Sequence, residues 1–421
     1  MKLLFSVKER IRWPGGGVLL LIVFFSYCSF FRMGSLFLGG RSGAIPARLE
    51  IPLEYRGGML FIKVRLGENP REYDFLLDTG AAFNVVSTRI ARQLDLQPVT
   101  DSSISDATRS TEELTFVRVG ELFLGGIPFR NTAAAVFDLD RSSRIRCYQI
   151  DGVLGMNLIR LVPYWRIDYS GEKLTLGRDR GILAGPAHRR MRIPFTRTIQ
   201  RIPRIKVDLP GGVSCQCRVD LGSSGGWKAD FGCWEEILEN HPGISFIRGY
   251  GQQTEGALGP GEGDLVLARF DEITAGGQPL ESLLFTFATR TYPSVGNRFF
   301  DRYILSFNWP GRELFLEVPP GSVSNPSTLE GYGFFFNAER DSGEIRISFL
   351  YAGSPAERAG LKVGDRILQI NGESLEKLSP EEFCYWYFHA DELLAGDPLR
   401  ITIRREDSIK KLKIPRAILL E

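Results

Sequence analysis

Histidine is scarce in this chain: three in 421 residues, at His188, His241 and His389. They stand too far apart in sequence to suggest a histidine-based zinc site. Six cysteines (Cys28, Cys147, Cys215, Cys217, Cys233, Cys384) are too few and too scattered for a disulfide scaffold, and they lack the paired spacing of metal ligands. Cys215, Cys217 and Cys233 stand close enough in sequence for a bridge among them, in any pairing. Charge of one sign is also missing. With 52 basic and 50 acidic side chains the net charge is +2, which excludes a global field for nucleic acid or an acidic polymer as partner.

What is present is the composition of folded protein, 43% hydrophobic and 24% charged, long enough for two to four compact units. Forty-six Gly, 23 Pro and 29 Phe, in short apolar runs cut by turn residues, predict a mainly β fold.

Lys2, Lys8, Arg10 and Arg12 precede an uncharged stretch of 19 residues, Trp13 to Phe31. As a helix it would span about 28 Å, enough to cross a bilayer once. The basic flank predicts that end in the cytoplasm and the rest of the chain on the extracytoplasmic side. The competing reading is a cleaved signal peptide, cut near Ser42-Gly43-Ala44, which would leave a secreted or periplasmic protein. Arg32 and the long gap before that site favour the anchor.

The chain repeats itself. IPLEYRGGMLFIKVRLGENPREYDFLLDTGAA, DGVLGMNLIR and WRIDYSGEKLTLG are followed in the same order by IPFTRTIQRIPRIKVDLPGGVSCQCRVDLGSSGG, SVGNRFFDRY and LSFNWPGRELFLE. Ile51 to Asp78 and Ile193 to Asp220 both span 27 residues, and Asp78 to Val153 and Asp220 to Val295 both span 75. Each copy reads as a β-lobe, with alternating strands such as Leu60-Phe61-Ile62-Lys63-Val64 and turn pairs such as Gly171-Glu172 and Pro310-Gly311. Gly177 to Arg192 connects the lobes. Val318 to Gly331, rich in Pro, Ser and Gly, reads as a linker to a further unit.

Phe75-Leu76-Leu77-Asp78-Thr79-Gly80-Ala81-Ala82 puts a carboxylate at the end of an apolar strand, followed by a hydroxyl and a Gly that allows close approach. A lone Asp-Thr-Gly is an ordinary turn. Here Asp151-Gly152-Val153-Leu154-Gly155 follows, and the whole unit recurs. With these motifs, residues 46–318 resemble the pepsin/retropepsin superfamily of aspartic proteases. The resemblance implies one catalytic aspartate per lobe, Asp78 and Asp220, with Thr79, Gly80 and Gly222 supporting the loops. It implies a water activated between the two carboxylates, one of them protonated, with no metal or cofactor needed. Hairpin flaps over the cleft are expected at Ile104 to Glu113 and Arg248 to Gly263. Protein or peptide substrates are the implied partners.

The second lobe departs from the pattern. Leu221 stands where the family has Thr or Ser, which removes one half of the hydrogen-bonded pairing of the two loops, and Ser294-Val295-Gly296 has a single apolar residue before its Gly. An inactive peptide-binding scaffold is the alternative these departures raise, and pairing of Asp78 with a second chain is a third reading that the matched repeat disfavours. Gly222-Ser223-Ser224-Gly225-Gly226 formally matches the nucleophile elbow of serine hydrolases, but that elbow needs a parallel strand-turn-helix setting that is not expected here.

From Gly331 the chain resembles a PDZ domain, through Gly331-Tyr332-Gly333-Phe334, Ser354 to Leu361 and Gly364 to Gly372. Ser354 should cap a short helix, Gly360 end it, and Asn371-Gly372 turn a hairpin. The resemblance implies that the amides of the Gly331-Tyr332-Gly333-Phe334 loop receive a peptide's C-terminal carboxylate. A helix near Ser379 to Asp391, with Phe383, Trp386 and Tyr387, should form the other wall. The expected order is anchor or signal (1–45), lobe one (46–180), lobe two (190–318) and PDZ (327–416), in a mainly β protein.

Overall fold

Alternation and turn glycines build the first lobe. Gly57 and Gly58 take left-handed φ of +55° and +78°, the geometry of a tight hairpin turn, and deliver the chain into β1 (Met59–Leu66). The strand pairs antiparallel with β2 (Glu72–Leu77), Phe61 facing Leu76. After β3 (Asn84–Ser87), a long hairpin of β4 (Pro98–Ser105) and β5 (Thr111–Leu124) leads into β6 (Ile127–Phe137). A short helix α1 (Ser143–Cys147) precedes β7 (Gly152–Leu154), which inserts parallel to β2 and antiparallel to β3, and α2 (Met156–Ile159) follows.

The second lobe repeats this plan. Its strands are β8 (Pro203–Asp208), β9 (Ser214–Val219), β10 (Trp227–Asp230), the hairpin β11 (Phe246–Gly256) and β12 (Gly259–Phe270), β13 (Leu283–Ala288) and β14 (Ser294–Val295). β14 inserts parallel to β9 and antiparallel to β10, and α3 (Asn297–Phe300) closes the unit. The computed structural model describes residues 34, 36–184, 190–256, 259–289, 291–319, 328–339 and 342–421. The segment Trp13 to Phe31 lies outside the described residues, as does most of the expected linker; among those described, no helix is long and apolar enough to cross a membrane.

The repeat register needs one correction. Asp78 N–H donates to the Leu154 carbonyl and Asp220 N–H to the Val295 carbonyl, so Leu154, not Val153, is the counterpart of Val295. The equal spacing of 75 compares positions that are one residue out of step. Strand hydrogen bonds set the register, and lobe two reaches its matching strand one residue sooner.

A six-stranded sheet joins the lobes, with Tyr164–Asp168 of the first paired to Ile304–Asn308 of the second around Arg166 opposite Ser306. One apolar core runs through both lobes, from Phe75 and Leu154 to Val219, Val295 and Phe307. Each such buried side chain contributes about 1.5–3 kcal/mol relative to exposure.

The C-terminal unit has its own core around Phe334, Ile347, Ile367, Phe383 and Ile401. It contains β15 (Phe334–Ala338), β16 (Ile345–Tyr351) and α4 (Pro380–Phe388), the last opened by Ser379 in a reciprocal cap with Glu382. Ser354 caps Pro355–Arg358, and Gly360 and the pair Asn371-Gly372 adopt left-handed φ, as expected.

This unit is fixed to both lobes. β16 pairs antiparallel with β11, Gly249 to Gly251 against Phe349 to Tyr351, so the sheet of lobe two runs on into it. Lobe one is joined covalently by a Cys147–Cys384 disulfide between α1 and α4. The bridge left open among Cys215, Cys217 and Cys233 does not form: all three are free thiols. The pairing that does form links cysteines 237 residues apart, a relation created by docking and invisible in local spacing.

Candidate active site

Asp78 and Asp220 emerge from β2 and β9 at the junction of the lobes, each with its backbone N–H anchored on the inserted strand beside it. Asp78 Oδ1 accepts from the N–H of Gly80 at 2.7 Å and of Ala81 at 3.0 Å, and Asp220 Oδ1 from the N–H of Gly222 at 3.1 Å. Each carboxyl lies against the glycine that follows the other aspartate. Gly80 and Gly222 are required by this closeness. A Cβ on Gly80 would lie 2.6 Å from Asp220 Oδ1, and one on Gly222 would lie 2.3 Å from Asp78 Cγ. What approaches each glycine is the opposite lobe's carboxylate.

Thr79 is buried and its hydroxyl works across the interface, donating to the Val219 carbonyl at 2.6 Å and accepting from the Leu221 N–H at 3.1 Å. The reciprocal pair is missing because Leu221 has no hydroxyl, as the sequence implied. Lobe two carries a different brace. The Asn297 side-chain amide donates to the carbonyls of Leu221 (2.8 Å) and Gly58 (2.9 Å), and its Oδ1 accepts from the Tyr169 hydroxyl at 2.9 Å. In lobe one the corresponding position is Met156. Sequence reasoning passed over Asn297; the signal was an amide where the first repeat has a thioether.

Asp151 is a pin for the turn in front of β7. Its carboxylate accepts the Asp74 N–H at 3.0 Å and pairs with Arg89. Nothing in this arrangement brings it to the aspartate pair.

Withdrawal from water pushes Asp78 up to about 8, helped by the neighbouring charge of Asp220. Burial also raises Asp220, but Lys228 and Arg218 hold it down. The cations beside Asp220 favour its ionised form, and the proton of the pair is favoured on Asp78. Lys228 and Arg218 are further residues that motif reading missed.

Both expected flaps are hairpins. β4 and β5 turn at Asp106 to Ser110, and the tip of β11 meets them: a Cβ on Gly256 would lie 2.0 Å from Asp106 Oδ2. The two tips touch.

In the C-terminal unit, Gly331 and Gly333 take positive φ, and the carbonyls of Tyr332 and Gly333 accept from Ala356 and Tyr351. Tyr332 and Phe334 are buried, the Tyr332 hydroxyl donating to the carbonyls of Leu394 and Gly396, so those side chains serve the core. Phe383 is likewise core. Tyr387 faces lobe one, with its ring 6.1 Å from that of Tyr148. Helix α1 lies against both β15 and α4. Arg144 donates to the Phe336 carbonyl at 3.1 Å, and the Ser143 hydroxyl donates to that of Ala338 at 3.2 Å. A peptide adding a strand to β15 shares that edge with α1.

Comparison with known proteins agrees with the two parts. Residues 62–158 match the family model described as aspartyl protease, and residues 322–383 match the PDZ domain. The solved structure of an aspartic proteinase from Irpex lacteus aligns with 66% of this chain and 99% of its own, at 13% identity and a TM-score of 0.41. Among curated proteins, Na(+)/H(+) exchange regulatory cofactor NHE-RF1 of Gallus gallus is 42% identical over 53 residues, 13% of this chain and 16% of that protein. Carboxyl-terminal-processing peptidase 3, chloroplastic, of Arabidopsis thaliana is 36% identical over 59 residues, 14% of this chain and 11% of that protein. These alignments span under a fifth of either relative.

Proposed function

We propose that this chain, which carries an aspartyl protease domain and a PDZ domain, is an endopeptidase that hydrolyses peptide bonds with a water activated between Asp78 and Asp220. The observation that carries this is the carboxyl pair itself: two aspartates from different lobes, each carboxyl packed against the glycine that follows the other. Ionised Asp220 takes a proton from the water as its oxygen attacks the peptide carbonyl carbon, while Asp78 gives its proton to the carbonyl oxygen. Asp220 then hands its proton to the leaving nitrogen. As the C–N bond breaks, the hydroxyl proton returns to Asp78, and both groups are reset.

The PDZ domain supports binding of a peptide ligand, and recruitment or gating of substrate is its role in this reading. The protease acts on the extracytoplasmic side of a membrane, held by the Trp13 to Phe31 segment. A disulfide between two units accords with an oxidising compartment.

The test is digestion of a diverse peptide mixture by the full chain between acid and mildly alkaline pH, beside Asp78→Asn and Asp220→Asn. Either substitution should lower cleavage by about 100- to 10,000-fold while the variants stay folded. Loss with Asp78→Asn alone would indicate pairing between chains. A folded wild type that binds peptides without cutting them would replace the enzyme with a scaffold.

A further inference from the structure

The two lobes present opposite chemistry on equivalent walls. In lobe one, Phe61, Leu76, Val153 and Val85 stand side by side across β1, β2, β7 and β3. The same pairings in lobe two align Arg204, Arg218, Ser294 and Lys228 across β8, β9, β14 and β10. Leu76 and Arg218 each sit two residues before the aspartate, hence on the same sheet face as its side chain. One wall beside the pair is apolar; the other holds three cations.

These three cations outnumber the negative charge beside them. Lys206 and Arg269 of the same lobe pair with Asp208 and Asp271. Among the described residues, the carboxylate acting on both Arg218 and Lys228 is Asp220, whose pair with Asp78 shares a proton. Arg204 Nε is buried without a hydrogen-bond partner. The row also reaches the roof: the Arg218 guanidinium lies 3.9 Å from the Tyr292 ring centroid, and Arg109 of the first flap lies 5.0 Å from the same ring. Half-buried cations in excess of their counter-charge are costly, and a further anion bound among them relieves that cost.

We propose that the lobe-two wall receives a carboxylate of the substrate beside the scissile bond. Arg204, Arg218 and Lys228 then set specificity. This rests on the peptidase reading above, and the carboxylate comes from a Glu or Asp side chain or from a peptide C-terminus.

The experiment uses the full chain and matched peptides with Glu, Gln or Leu on either side of one central bond. Each is made with a free and an amidated C-terminus, and each again with that bond reduced to an amine so that binding is read without cleavage. Glu should be preferred over Gln about tenfold to a hundredfold, in kcat/KM and in affinity, on one side only. The preference should fade as pH falls through about 4.3, where the Glu carboxylate protonates. Arg218→Leu and Lys228→Val, which install the lobe-one residues, should turn it toward Leu, with Tm confirming that they fold; Arg218→Lys should keep part of it. Preference that follows the free C-terminus assigns the carboxylate to that source.

Cleavage with Glu and Gln treated alike by wild type overturns this proposal alone. Glu-selective binding without cleavage sustains it and overturns the peptidase reading. Neither binding nor cleavage overturns both.

Discussion

The Leu221 N–H donates to the Thr79 hydroxyl at 3.1 Å, so one side chain from lobe one steadies the loop that carries Asp220 in lobe two. Because that hydroxyl also donates to Val219, Thr79→Val removes two hydrogen bonds and leaves a buried N–H and C=O unmet. The expected cost is about 1–3 kcal/mol for each unsatisfied group, seen as a lower Tm, with a larger proportional loss in kcat than in KM.

Asn297 should matter almost as much. Asn297→Ala strips the donor from the Leu221 and Gly58 carbonyls and the acceptor from Tyr169. Asn297→Asp, which keeps an acceptor for Tyr169 but not the donors, separates the two roles. If loop bracing is what counts, both variants lower kcat in steady-state assays, and an Asp variant with wild-type kcat would refute that.

The activity profile should extend to neutral pH. The proposed mechanism needs Asp220 ionised and Asp78 protonated, so activity should rise above the pKa of Asp220 and fall as pH passes the raised value of Asp78, about 8. Lys228 lowers the pKa of Asp220, and Lys228→Met should therefore move the acidic limb upward. A kcat/KM profile over pH reads both limbs.

Folding stability follows the same two groups with the opposite sense. Both folded-state values lie above the unfolded ones, so protonated carboxyls are favoured in the native state and stability declines as pH rises through the raised values. Asp78→Asn, uncharged throughout, should flatten that decline in Tm measured from pH 5 to 9.

Cys147 and Cys384 should resist alkylation in the unfolded, unreduced protein, while Cys215, Cys217 and Cys233 label. Replacing the bonded pair by serine should cost about 2–4 kcal/mol, read as an earlier unfolding transition.

Much of this was legible in the sequence because repetition is visible. The Asp78 and Asp220 loops, both flap hairpins and the PDZ turns at Ser354, Gly360 and Asn371-Gly372 follow from local residue chemistry. Register did not, since strand pairing fixed Leu154 opposite Leu77 while residue counting favoured Val153. The Leu76 to Arg218 and Val85 to Lys228 exchanges were present in the repeat, but their meaning depends on which strands lie side by side. Cys147 to Cys384 depends on docking between units far apart in the chain.

That docking gives the PDZ domain a mechanical part in the fold. It is bonded to lobe one through Cys384 and woven into the flap strand of lobe two through β16. It therefore straddles the junction of the lobes as a clasp does. The lobes cannot swing apart far without tearing the strand pairing or dragging the flap with them, so the reach of the cleft is set at its outer edge as much as at its floor.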